Sequence, residues 1–266
     1  MKKYLVTYAD DSFKDAGQRL IATSRQLGIF DGCLLYSKED LTSEMRNSSI
    51  MEFQRGGGYW AWKSDVILQM LDKINWGDYV VYVDAGCYVY PSREWGKMWR
   101  TLKGYDLILF RIPNQIKRWI KRDALNYFGV SVDDDLMKQY LVAGGVIFLK
   151  KTLFTISFFE SWKKLAIEKY FLFVDSDRIN EYPEFIEHRH DQAILSLLFY
   201  CTFRNTNRVK IFWENFEVRG VRQCIYAARS KKKYQEKKTK ALHKQVYHYL
   251  FKYPMYSLSK ILSQKY

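Results

Sequence analysis

Residues 79–86 read Tyr79-Val80-Val81-Tyr82-Val83-Asp84-Ala85-Gly86. The first five are β-branched or aromatic, which predicts a strand buried on both faces. The run stops at one carboxylate, followed by two small residues. A buried strand that ends in Asp sets a charge in the crevice at the carboxyl ends of the strands, where open α/β sheets bind ligands. Upstream, Gly56-Gly57-Gly58-Tyr59-Trp60-Ala61-Trp62-Lys63 reads as a flexible loop leading to an aromatic pair and a cation. Lys63 and Asp84 can therefore converge on one pocket. The cation would suit a phosphate, and the carboxylate a metal or a sugar hydroxyl.

Outward from this strand, the periodicity alternates between two and 3.6. Lys2–Ala9 reads as a first strand, Asp11–Leu27 as a helix and Gly32–Tyr36 as a second strand. Leu41–Phe53 is helical or irregular. Val66, Ile67, Met70, Leu71 and Ile74 recur at three and four, predicting a helix over Lys63–Ile74. Gly77-Asp78 turns the chain into the Tyr79–Val83 strand. Further strands are expected at Tyr105–Phe110 and Val142–Leu149, and helices at Phe154–Glu168 and Asp191–Tyr200. Strands alternating with helices argue for an α/β/α sandwich with a mostly parallel central sheet.

The 266 residues suit one large α/β domain with a tail. No apolar run reaches the ~18 residues needed to span a bilayer. The apolar start at Tyr4–Tyr8 is short and meets Asp10-Asp11, so it reads as a strand and not as a secretory signal. Cys33, Cys87, Cys201 and Cys224 are scattered, which fits free thiols in a reducing cytoplasm. Net charge is +14, and +10 of it lies in residues 229–266, where eleven Lys or Arg face a single Glu. The expected organisation is thus a catalytic body over 1–228 and a basic tail over 229–266. In the tail Leu242, Val246, Tyr249, Leu250 and Tyr253 line one helical face before Pro254. A basic amphipathic helix of this kind suits the surface of an anionic membrane. A solvated charged helix is the other reading. The segregated charge and the absence of a nucleic-acid motif argue against a polyanion-binding protein, the rival class.

Four constellations can carry chemistry. Asp84-Ala85-Gly86 lacks the second carboxylate of an Asp-x-Asp, the usual device for holding Mg²⁺ or Mn²⁺ beside a diphosphate. Lys63 opens a helix, where backbone amides attract anions. Glu187-His188-Arg189-His190-Asp191-Gln192 is the densest polar cluster of the body. There His190 could ligate a metal, Asp191 could serve as a base or as a helix cap, and Gln192 could orient sugar hydroxyls. Lys121-Arg122-Asp123, with the later Gly144-Gly145 pair, could form an acceptor side, or the charged triplet could be an exposed turn. Together these segments suggest a nucleotide-sugar site.

Taken in order, Gly-Gly-Tyr-Trp-Ala-Trp-Lys (57–63), Tyr-Val-Asp-Ala-Gly-Cys (82–87), Trp-Ile-Lys-Arg-Asp (119–123), Val-Ala-Gly-Gly (142–145) and His-Arg-His-Asp-Gln (188–192) resemble bacterial glycosyltransferases of the GT-A fold. Those enzymes build O-antigen or capsular polysaccharide. The resemblance implies a nucleotide-sugar donor, usually a UDP-sugar, with Thr7, Tyr8 and Ala9 near the base. It implies Lys63, Asp84, Ala85 and Gly86 along the donor, and Asp191 with Gln192 near the reacting sugars. It implies a hydroxyl of a lipid-linked glycan as acceptor. A divalent metal (Mn²⁺ or Mg²⁺) would be held by Asp84 and His190, or its place taken by cations such as Lys63. Asp84 and Asp191 are the expected catalytic residues, and the cytoplasmic face of the inner membrane the expected location. A catalytically inactive relative is the alternative left by the missing second Asp.

Overall fold

The structure, a computed structural model, describes residues 1–217 and 223–231. Its strands are β1 (Lys3–Tyr8), β2 (Gly32–Tyr36), β3 (Tyr79–Val83), β4 (Tyr88–Val89), β5 (Leu107–Gln115), β6 (Tyr140–Val142), β7 (Val146–Lys150), β8 (Val209–Trp213) and β9 (Ile225–Tyr226). The helices that cover the sheet are α1 (Lys14–Gln26), α2 (Lys63–Asp72), α3 (Glu94–Gly104), α4 (Arg122–Tyr127), α5 (Leu153–Glu168) and α6 (His190–Leu198). The main sheet has seven strands in the order β2-β1-β3-β7-β5-β6, with β8 paired along the other edge of β5. The β4–β9 pair stands apart as a small ribbon.

Every residue of β3 is buried, as its unbroken Val/Tyr composition requires of a strand with helices on both faces. One face carries α1 and α3, whose Leu20, Trp95, Trp99 and Leu102 pack with Leu5, Val81 and Phe148. The other carries α2, α5 and α6 over Val6, Tyr82, Ile147 and Leu149. On α2, Val66, Ile67, Met70 and Leu71 are at most 1% exposed. At about 1.5–3 kcal/mol each, their burial holds that helix to the sheet. Helix α5 begins in a capping box between Thr152 and Thr155. The layering is the expected GT-A-like α/β/α sandwich.

The sheet is more mixed than the alternation of elements implies. β1, β2 and β3 are mutually parallel, but β7 runs antiparallel between β3 and β5. Strands β1, β2, β3, β5 and β8 share one direction, and β6 and β7 oppose it. The expected single strand Val142–Leu149 is in fact two. Gly144-Gly145 is the break at which the chain leaves β6, against β5, and enters β7, between β3 and β5. This antiparallel entry has a local consequence. Val83 pairs with Val146, so the next residues, Asp84 and Gly145, meet at the sheet edge with Asp84 N donating to Gly145 O at 2.9 Å.

The boundary expected at residue 228 cuts a packed segment. Ser230 N donates to Gly86 O at 3.0 Å, so the body extends at least to the last described residue, Lys231. The amphipathic face expected over 242–253 lies outside the described residues. Among the described residues no helix is long and apolar enough to cross a membrane.

Candidate active site

Lys63 is the centre of the crevice. It is the first residue of α2, and side chains at a helix start lean back past the N-terminus. Its ammonium therefore reaches the strand ends. There it lies 2.7 Å from Asp191 Oδ2 and 3.2 Å from Asp84 Oδ1, and donates to Gly144 O at 3.1 Å. Burial alone would depress the Lys63 pKa; Asp191 first, then Asp84, reverse this and hold it above its ordinary value. Asp191, in the first turn of α6, has its pKa raised by burial against the opposing pull of Lys63. The Tyr82 hydroxyl, two residues before Asp84 on β3, donates to Asp84 Oδ1 at 2.7 Å. Burial and then the neighbouring Asp84 raise its pKa well above the ordinary value.

The Gly144-Gly145 pair serves this cluster directly. A Cβ on Gly144 would lie 2.6 Å from Asp191 Oδ2, and one on Gly145 would lie 2.7 Å from Asp84 Oδ2. The glycines make room for carboxylates of this chain, not for an acceptor as expected. Gln192 sits beside them, its Cγ 3.3 Å from the position of a Gly144 Cβ. The two carboxylates differ in access: the Asp84 side chain is 41% exposed and that of Asp191 7%. Asp84 thus faces the crevice. The Lys63 side chain, 3% exposed and with three oxygens around its ammonium, is not open to a phosphate.

The run before Lys63 is not a loose loop. Gly56, Gly57, Gly58, Tyr59 and Trp60 all have positive φ, between 51° and 95°. Five consecutive left-handed residues make one left-handed helical turn, which costs L-residues such as Tyr59 and Trp60 roughly 1–2 kcal/mol each. The turn is held from outside. Tyr59 OH and Arg55 Nη1 donate to opposite oxygens of Asp175 at 2.8 and 2.6 Å, and Trp62 Nε1 donates to Gly56 O at 3.0 Å. Trp62 stacks on Tyr8 with ring centroids 3.8 Å apart. Behind that stack opens a cleft of about 300 Å³ at the ends of β1 and β2, with Tyr8, Ala9, Asp10, Lys38, Glu39 and Gly57 in its walls. Tyr8 and Ala9 thus line it, whereas Thr7, on the opposite face of β1, is wholly buried with Oγ1 unpartnered. A larger cleft of about 550 Å³ lies on the far side of α1 and β2, by Arg25, Cys33 and Lys73, and holds none of the expected site residues.

The histidines and the expected acceptor triplet belong to a second network. His188 accepts from Lys121 N at 3.2 Å, so its other ring nitrogen donates to Leu172 O at 2.8 Å. His190 contacts Phe173 O at 2.7 Å through Nδ1, and its Nε2 is 3.7 Å from Asp175 Oδ1. Burial drops the His188 pKa well below its ordinary value and that of His190 to about 4, so both rings are neutral at pH 7. The Lys121 ammonium is buried on the carbonyls of Phe171 and Val174 at 2.6 and 3.0 Å. Arg122 donates to Asn180 O at 2.6 Å, and Asp123 is exposed. Lys121 and Arg122 therefore tie down the 171–182 segment. The Lys121 ammonium and Arg122 Nε thus face this chain's own carbonyls, and Asp123 is the exposed member of the triplet.

These residues do not fit a divalent cation at Asp84. The Asp84 carboxylate already holds an ammonium and a hydroxyl, Asp191 is tied to the same ammonium, and His190 is turned toward Asp175 and Phe173. Gly86, where a second carboxylate would stand, is covered by the main chain of Arg229, whose Cα would be 3.0 Å from a Gly86 Cβ. Among the described residues no group of three or more His, Cys, Asp or Glu gathers to hold a metal ion.

Sequence reasoning missed three residues of this architecture. Arg19 on α1 is buried under the Asp84 turn and donates to Ala85 O at 3.1 Å and Cys87 O at 2.9 Å. Asp175 gathers Arg55, Tyr59 and His190. Tyr82 belongs to the strand and the 82–87 motif in the sequence reading but has no site role there, although period-two alternation puts it on the same side as Asp84.

No family model and no curated protein matches the chain. Solved structures do. Mouse xyloside xylosyltransferase 1, in its apo form, is similar over 79% of this chain and 85% of its own, at 11% identity and a TM-score of 0.42. The galactosyltransferase LgtC, in complex with donor and acceptor sugar analogues, is similar over 78% of this chain and 72% of its own, at 18% identity and a TM-score of 0.38. The 4-diphosphocytidyl-2C-methyl-D-erythritol synthase of Anaerococcus prevotii is similar over 80% and 86%, at 13% identity and a TM-score of 0.39. The likeness is one of chain trace, and no residue role is taken from it.

Proposed function

We propose that this chain is a glycosyltransferase that moves a sugar from a UDP-sugar to a hydroxyl of a glycan acceptor. In this reading the acceptor is carried on a lipid at the cytoplasmic face of the membrane, and the product is a cell-surface polysaccharide. One observation supports the reading above the others. A cleft of about 300 Å³ walled by Tyr8 opens at the carboxyl ends of β1 and β2, and the neighbouring β3 ends in an exposed carboxylate, Asp84, that a buried Lys63–Asp191 pair holds in place. Strand ends of α/β sheets are where nucleotides dock.

The roles follow from access. The donor's base enters the Tyr8 cleft, against a ring already stacked on Trp62. Asp84, with Oδ1 fixed by Lys63 and Tyr82 and the side chain 41% exposed, accepts a hydrogen bond from a sugar hydroxyl in this reading. Such a fixed acceptor orients the hydroxyl without reorganising during the reaction. Asp191 acts through Lys63 by keeping the ammonium charged and pointed at Asp84.

The test is a calorimetric screen of UDP, GDP, CMP and dTDP against the full chain, each with and without Mn²⁺. Tight binding of UDP is expected, and no binding by any of the four contradicts the reading. Asp84→Asn should then cut transfer from the matching nucleotide-sugar at least 100-fold while the unfolding midpoint stays within about 1 kcal/mol of wild type.

A further inference from the structure

The donor reading leaves a charge problem. A nucleoside diphosphate brings at least two negative charges to strand ends that already carry Asp84 and, in the cleft wall, Asp10, Asp11 and Glu39 against Lys38, and the buried Lys63 is spent on Asp84 and Asp191. Arg19 is likewise spent, on the carbonyls of the Asp84 turn.

The chain supplies another cation at the same turn. After β8 it returns through β9, which pairs with β4 by Tyr88↔Tyr226 and Val89↔Ile225. Ala227 N donates to Phe216 O at 2.8 Å, and Ser230 N to Gly86 O at 3.0 Å. This lays Arg229 across the turn. A Gly86 Cβ would meet Arg229 Cα at 3.0 Å and its carbonyl carbon at 3.2 Å, so position 86 has no side chain because Arg229 is packed there. The Arg229 side chain is 74% exposed and, among the described residues, pairs with Glu217 at 2.7 Å at the surface. An exposed pair of this kind exchanges readily for a stronger anion. Lys231 follows, its ammonium 5.1 Å over the ring of Phe13, whose edge lies 3.3 Å from the position of a Gly86 Cβ.

We propose that Arg229, seconded by Lys231, binds the diphosphate of the donor, in the place where a second carboxylate and its metal ion would otherwise stand. The proposal rests on the donor reading above. A planar guanidinium offers the two-pronged hydrogen bonding that phosphate oxygens accept. It explains together the glycine at position 86, the missing metal ligands and the return of the chain to the strand end. It also assigns Arg229 to the site, although composition groups it with the basic tail.

The test compares nucleotides that differ only in phosphate number. Calorimetric Kd values for UDP, UMP and uridine are measured without divalent ions on the full chain, for wild type, Arg229→Ala, Arg229→Lys, Lys231→Ala and Gly86→Ala. Arg229→Ala is expected to weaken UDP roughly 10- to 100-fold, the usual worth of a charge-assisted hydrogen bond, and to leave uridine within about twofold. Arg229→Lys should recover part of the loss, Lys231→Ala should cost less, and Gly86→Ala should act like Arg229→Ala by lifting the segment. UDP binding by wild type that is unchanged in Arg229→Ala, or an equal loss for uridine, overturns this proposal alone. Failure of wild type to bind UDP, UMP or uridine overturns the donor reading with it.

Discussion

Two glycine clusters meet at this site for different physical reasons. Gly56-Gly57-Gly58 is needed for conformation: the turn is left-handed, and Gly58 has φ +95°. Gly144-Gly145 is needed for space: neither has a positive φ, and each lies under a carboxylate oxygen that a Cβ would meet below 3 Å. Read in sequence, both look like places where a backbone approaches a ligand. The folded chain uses the first to aim Trp62 and Lys63, and the second to seat the two carboxylates that Lys63 joins. The lesson is that a glycine pair beside acidic residues from distant segments can mark an internal charge cluster.

The largest effect should come from removing what joins the two clusters. Lys63→Met leaves Asp191 buried without its cation, and loss of about 3–5 kcal/mol of stability is expected in urea unfolding, together with loss of transfer. Gly58→Ala comes next. The strained φ is compounded by contacts at 2.8 Å to Met51 Sδ and 3.0 Å to Ile50 O, so a loss of about 2–3 kcal/mol is expected. Gly77→Ala is the control that isolates φ, since Gly77 has φ +83° and nothing within 4 Å of a Cβ, and about 1 kcal/mol is expected there. If the two alanine variants were equally destabilised, the packing half of the argument for Gly58 would fail.

Gly144→Ala and Gly145→Ala should show the reverse pattern. Each displaces a carboxylate oxygen by roughly half an ångström or more, so transfer should fall by about 100-fold or more while stability changes by less than about 1.5 kcal/mol. A variant that unfolds without an activity defect at low temperature would contradict the spatial role.

The last effect, confined to one side of the pH range, concerns a carboxyl outside both clusters. Burial, and then Glu217, push the Glu214 pKa up to about 7. The folded state then holds this proton more tightly than the unfolded chain, whose value is near 4.5. Its contribution favours folding at acid pH and is lost as pH rises from about 4.5 to 7. Glu214→Gln should therefore be more stable than wild type at pH 8, by about 1–3 kcal/mol, with the difference vanishing near pH 4. Urea midpoints at the two pH values check it.

What was legible in the sequence was what local pattern carries. The unbroken Tyr79–Val83 run and the three-and-four spacing of Val66 to Leu71 mark β3 and α2 without help from distant contacts. The meeting of Lys63 with Asp84 could be anticipated because one residue opens a helix and the other ends a strand of the same sheet. The antiparallel entry of β7 was hidden, since strand direction depends on pairing with β3 more than 60 residues earlier. Arg19 and Asp175 were hidden for the same reason. Arg19 reaches Ala85 and Cys87, and Asp175 reaches Arg55 and Tyr59, across 66 to 120 positions. His190 misled because a histidine beside a catalytic-looking Asp resembles a ligand, whereas its positive φ of 44° turns the ring to Asp175.

The central claim, that the donor occupies the crevice around Asp84, is tested most directly by amide hydrogen exchange on the full chain with and without UDP. Slower exchange is predicted in peptides covering residues 8–13, 53–60 and 84–90, with the 14–26 and 31–36 faces of the larger cleft unchanged. Protection confined to that larger cleft, or spread evenly over the chain, would contradict the account.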